Sequence, residues 1–131
     1  MQGLKMMRFF LLAGAILAGI SVAGGAFATH ALRAKLDDRA LEIFETGARY
    51  QMYHAIALIL VALFIRQSEF SDPLLTASGI SFIAGIVLFS GSLYALSLSG
   101  VKILGAVAPI GGAAFMTGWV CLAIAAWRLK P

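Results

Sequence analysis

The chain has 131 residues, of which 61% are hydrophobic and only 12% charged, with a formal net charge of +4. A soluble domain is about 25% charged, so a chain this apolar cannot cover its own surface with polar groups, and its length suits one domain and not two. The basic residues are scattered through short connections, with no basic run interleaved with aromatics, so the charge reads as membrane-flank charge and nucleic acid is excluded as a partner.

The first apolar run, Phe9 to Ala28, follows Lys5 and Arg8. As a helix it covers roughly 30 Å, the thickness of a bilayer core. Ala26-Phe27-Ala28 has the form of a signal-peptide cleavage site, but the run exceeds the ~7–15 apolar residues of a signal sequence and is read as a retained membrane helix. Ala15, Gly19 and Ala23 recur every fourth position, as do Ser21, Gly25 and Thr29. Such stripes suit close helix contact, either within the chain or in a homo-oligomer.

Residues 30–47 are rich in charge. Leu36, Ala40, Leu41, Phe44 and Ala48 fall near helical spacing, with Asp37, Asp38, Arg39, Glu42 and Glu45 mostly elsewhere. This amphipathic segment between the first two membrane helices is either a short interfacial helix or the extended start of the second span, with Asp37-Asp38 suited to a helix start.

The second span is about 48–65, and Asp72-Pro73 breaks the chain before a third at about 74–98. The third carries Ser78, Ser81, Ser90, Ser92, Ser97 and Tyr94. Ser90, Tyr94 and Ser97 share one face, expected to look into the bundle. Ala77, Ser81 and Gly85 repeat the small-residue stripe. The fourth span is about 103–127. Pro109, followed by Gly111 and Gly112, predicts a kink or local unwinding that must face protein. Trp119 is expected to pack internally, and Trp127, beside Arg128, to anchor the interface. Cys121, the single cysteine, excludes an internal disulfide and reads as a packed thiol.

The fold class is therefore all-α: a polytopic membrane protein, residues 1–131 forming one compact bundle of four transmembrane helices. Lys5, Arg8, Arg66, Arg128 and Lys130 flank the terminal side; Arg33, Lys35, Arg39 and Lys102 flank the other, with Arg49 discounted as lying within a helix. This small excess points to cytoplasmic termini.

The chemistry-bearing stretch is Glu45 to His54, where charged and hydrogen-bonding groups run directly into the apolar second span. Polar groups entering a bilayer usually face protein, water or each other. Glu45 and Arg49 form an i, i+4 pair in the favourable order. Thr46, Tyr50, Gln51 and His54 lie nearby, and His30 ends the first span. With Ser90 and Tyr94, these residues form either a hydrogen-bonded plug or a small polar pocket for a lipid headgroup, a quinone or another small molecule. Two histidines on neighbouring helices can also ligate a haem or a metal, although capping and core hydrogen bonding explain them as simply. No cysteine or carboxylate spacing completes a zinc site. The sequence has no H-E-x-x-H, no G-x-S-x-G and no phosphate-binding glycine loop. The first, third and fourth spans lack the carboxylate that proton-coupled transport generally needs.

Several motifs together resemble a known group. They are Gly25-Ala26-Phe27 with His30-Ala31-Leu32, Thr46-Gly47 with Tyr50-Gln51 and His54, Leu88 through Tyr94, Pro109-Ile110-Gly111-Gly112, and Gly118-Trp119. Over nearly the whole chain they resemble the small four-helix bacterial membrane family known as domain-of-unknown-function family 423. One departure is Ala28-Thr29, where that family more often has Gly-Ala, adding bulk at the end of the first helix. The resemblance implies a multi-pass protein of the bacterial inner (plasma) membrane and brings no catalytic residues, metal or cofactor. The first expectation is a non-enzymatic accessory or oligomeric component, with lipid and a homo-oligomer or membrane-complex subunit as partners. The alternatives are a small-molecule or ion permease, with a path along Arg49, Tyr50, His54 and the third-span serines, and a haem- or quinone-binding redox subunit.

Overall fold

A computed structural model describes residues 2–68 and 72–129; Lys130, counted above as flank charge, lies outside them. Five α-helices follow in order: α1 (Gln2–His30), α2 (Asp38–Gln67), α3 (Pro73–Gly85), α4 (Gly91–Ser99) and α5 (Ala108–Trp127). A π-helical turn, Ile86–Ser90, joins α3 to α4, and a 3-10 segment, Lys102–Ala106, leads into α5. No strand occurs among the described residues. Four helical stretches are long and apolar enough to cross a membrane: 2–34, 38–67, 73–99 and 102–127.

Helix starts follow their capping chemistry. The Asp37 carboxylate accepts the Ala40 amide at 2.7 Å at the head of α2, and Asp72 accepts Leu74 at 2.9 Å at the head of α3, with Pro73 in the first turn. Gly100 ends α4 with φ +72°, a left-handed conformation that favours glycine, and its amide bonds the Leu96 carbonyl.

The amphipathic segment is not a separate interfacial helix. From Asp38 it is the first part of α2, a continuous 30-residue rod, and only the 3-10 turn Leu32–Ala34 stands between α1 and α2. Its apolar residues keep one phase with those of the second span, so nothing interrupts the backbone ladder.

The π-helical turn has a similar cause. Ser78, Phe82, Ile86, Ser90 and Tyr94 recur every fourth position and all point inward, wholly or partly buried. A regular helix drifts about 40° per four residues. The wider π turn takes up one residue and brings Ser90 and Tyr94 back onto the core face.

Pro109 does not interrupt a helix. It lies in the first turn of α5, where a missing amide leaves no bond unmade, and the irregular backbone lies before it, in the 3-10 segment and at Val107. Gly111 is a packing residue, because a Cβ there would overlap the backbone of Phe89; Gly112 has open space.

α2 is central. α1 lies antiparallel along one side of it, α3 and α4 along the other, and α5 packs mainly on α3 and the π turn. Phe10, Leu58, Val61, Phe82, Ile86 and Phe115 fill the larger core. Ala28, Leu32 and Phe44 form a second one near the α1–α2 turn, with Tyr94 against it. The α1 seam uses Phe10, Gly14, Ser21 and Ala28. Of the expected stripes only Ser21 enters it; Ala15, Gly19 and Ala23 face outward.

Candidate functional site

Gln51 clamps three helices. Its Nε2 donates to the Leu17 carbonyl of α1 at 2.8 Å, and its Oε1 accepts the Tyr94 hydroxyl of α4 at 2.7 Å. One turn further along α2, His54 Nδ1 lies 2.7 Å from the Tyr50 carbonyl, which can only accept, so Nδ1 carries the proton. Nε2 is then the acceptor for the Trp119 indole N–H of α5 at 3.1 Å. The imidazole is therefore neutral, and it stacks on Phe115 with ring centroids 3.5 Å apart.

Serines bolt the rest. Ser21 and Ser90 donate to the adjacent α2 carbonyls of Ala48 and Gly47 at 2.5 and 2.7 Å, from opposite sides. Ser97 donates to Ala40 at 2.6 Å, and Ser78 to Gly118 at 2.8 Å. A carbonyl has two lone pairs, so it can take a second donor from another helix without losing its own ladder bond. Among the described residues, no buried side-chain nitrogen or oxygen lacks a partner.

Of the residues singled out from the sequence, Gln51, His54, Ser90 and Tyr94 come together in this interior network. Glu45 and Thr46 sit half-buried at its rim, and Tyr50, itself exposed, lies tilted against Phe89 with ring centroids 4.8 Å apart. Arg49 and His30 are exposed. The Glu45–Arg49 pair does not form: Arg49 donates to Thr46 Oγ1 at 3.1 Å, and Thr46 in turn to the Glu42 carbonyl at 2.8 Å. The ion pairs among the described residues are Arg39–Glu42 and Arg128–Asp72. The two histidines cannot share a ligand. The Gln51–Leu17 bond fixes the antiparallel register and places His30 and His54 more than about 20 Å apart along the helices. Both His54 nitrogens are engaged within the chain. Nor do Arg49, His54 and the serines line one path, since Arg49 faces out and the serines turn onto neighbouring backbones.

Sequence reading missed Phe115 as the stacking surface and Trp119 as the histidine's donor. The signal for Trp119 was its indole N–H, which inside a membrane must find an acceptor. Among the described residues no group of three or more His, Cys, Asp or Glu side chains could hold a metal ion.

A separate crevice of about 820 Å³ opens between the last turns of α2 and α5 and the start of α3. Phe64, Leu75, Trp119 and Leu122 line it, with Asp72 and the exposed Arg128 3.8 Å apart at its mouth.

The family model described as "Protein of unknown function (DUF423)" matches residues 24–112. The UPF0382 membrane protein YwdK of Bacillus subtilis is 44% identical over 120 residues, covering 92% of this chain and 97% of the relative. The UPF0382 membrane protein SERP0230 of Staphylococcus epidermidis is 42% identical, with 91% and 95% covered, and SH2409 of Staphylococcus haemolyticus is 38% identical, with 93% and 98% covered. No solved structure matches.

Proposed function

The chain belongs to the DUF423 family, whose relatives are named membrane proteins, and from that premise we propose that it is a non-enzymatic, self-associating component of the bacterial plasma membrane with both termini in the cytoplasm. One observation carries the reading: the interior polar side chains are turned onto one another and onto neighbouring backbones. A general base, a nucleophile or a transport ligand needs a group free to meet a substrate. Gln51, His54, Tyr94 and the core serines instead tie helix to helix, which suits a rigid building block.

The test is the subunit count in lipid. Photobleaching of singly labelled protein in nanodiscs or native membrane fragments should give two or more steps per particle. Single steps throughout would overturn the reading.

A second reading, binding of an amphipathic small molecule, is favoured by the crevice, whose apolar walls and charged mouth at a helix end match such a ligand. Native mass spectrometry after delipidation tests it: an adduct displaced by Leu122→Trp supports it, and bare protein counts against it.

A further inference from the structure

We propose that the outward face of α2 pairs with the same face of a second copy, about a two-fold axis along the membrane normal. This rests on the self-association proposed above and names the surface that performs it.

Three observations converge. The first is spacing. Arg39, Glu42, Thr46 and Arg49, then Tyr53, Ile56, Leu60 and Leu63, alternate steps of three and four along one side of α2. That is the a/d rhythm with which one helix packs along another. All but half-buried Thr46 are exposed in the single chain, from 43% for Leu60 to 54% for Tyr53 within the lower half. The buried residues of α2 lie away from this stripe, toward α1 on one flank and α3 and α4 on the other.

The second is depth. The Ser21–Ala48 and Ser90–Gly47 bonds set Arg49 level with Ile20 of α1 and with the π turn. Ile20 lies ten residues before His30, roughly 15 Å along α1 from the helix end, beyond which Arg33 and Lys35 follow. The outward residues at this level on α1 and the π turn are apolar: Ile20 and Val22, and Val87. Arg49 leans back toward Thr46, which recovers part of that distance. A lone exposed cation at such depth is costly in lipid, and ionisable groups within spans almost always face protein or a water-filled cavity.

The third is charge. Glu42 and Glu45 stand one to two turns above Arg49, and Glu45 makes no ion pair among the described residues. Helical side chains lean toward the N-terminus. In a parallel two-fold pair each Arg49 therefore rises toward Glu45 of the second copy, and symmetry makes the bond twice. The face is self-complementary in sign, and its lower half supplies the apolar contact. The outward small residues of α1 have no comparable second feature, so they serve as the control.

Disulfide trapping in native membranes tests this. In a Cys121→Ala background, Tyr53→Cys and Leu60→Cys should each give a covalent dimer on mild oxidation, and Gly19→Cys on α1 should not. Arg49→Glu should lower the trapped fraction about tenfold, as expected when a close charge pair turns repulsive. The same-chain exchange Glu45→Arg with Arg49→Glu should restore it, which also shows that the fold tolerates the change. Trapping through Gly19→Cys instead, equal trapping at all three sites, or indifference to Arg49→Glu would each overturn the proposal. An assembly with two or more photobleaching steps but no trapping at 53 or 60 removes this surface and leaves self-association standing, whereas single-step particles remove both.

Discussion

At the scale of single residues, the division of labour is between charge and dipole. The sequence marks one polar stretch, yet its members part company. The charged Arg49 goes outward, while the amide of Gln51, the neutral ring of His54 and the hydroxyls of Ser90 and Tyr94 go inward. A neutral group's hydrogen bonds can be replaced inside the bundle, whereas burying an unpaired ion among the core residues costs several kcal/mol, and the outward face leaves Arg49 able to lean toward Thr46 and the helix end. Periodicity puts Arg49 and Gln51, two positions apart, on nearly opposite faces of the helix, but which face turns inward depends on where the neighbouring helices lie. The roles lead to numbers. Tyr94→Phe leaves Gln51 Oε1 without its donor and should cost about 0.6 kcal/mol of unfolding free energy, the average measured for interhelical bonds in membranes, and at most about 1.7. Gly111→Ala must push the α5 backbone away from Phe89 and should cost about 1–3 kcal/mol, as overpacking does. Gly112→Ala, with open space around it, should stay within about 0.5 kcal/mol. Thermal unfolding of the three variants in one detergent checks the order.

At the scale of the element, apolar pattern and caps were legible and exact boundaries were not. Asp72-Pro73 announces the start of α3, and the structure caps it as expected. The start of α2 was harder to read. The same residues that make an interfacial helix plausible also continue the phase of the second span, and only the packing of Phe44 and Ala48 under α1 and α4 selects the continuous rod. Pro109 shows the converse: its effect depends on whether helix precedes it, and here a 3-10 segment does. The inward residues at every fourth position of the third span are a sequence trace of the π turn, a period slightly longer than the helical one. Deleting the exposed Val87 should therefore give a regular helix that keeps Ser90 and Tyr94 facing α2. Inserting one alanine after Val87 should turn them away by about 100°. The deletion should stay folded in a melting experiment, and the insertion should lose the cooperative transition.

At the scale of the whole molecule, four spans give a bundle in which α2 is the hub and α1 is fastened mainly to it. The four spans and the bundle follow from length and hydropathy. The lateral order of helices and the place of α2 as hub do not, since the first, third and fourth spans are apolar on nearly all sides and mainly small and hydroxyl residues distinguish their faces. Even span number places both termini together, and the basic residues at that end set the proposed orientation. A green fluorescent protein fused at the C-terminus should fluoresce and an alkaline phosphatase fusion should be inactive; the reverse pattern would turn the bundle over. The central claim is that interior polar groups hold helices together and carry no chemistry. Gln51 tests it most directly, because one side chain bridges α1, α2 and α4. The measurement is the unfolding free energy of Gln51→Leu in bicelles beside the unsubstituted chain. Loss of two interhelical bonds predicts a fall of about 1–3 kcal/mol, and a variant as stable as the original chain would contradict the account.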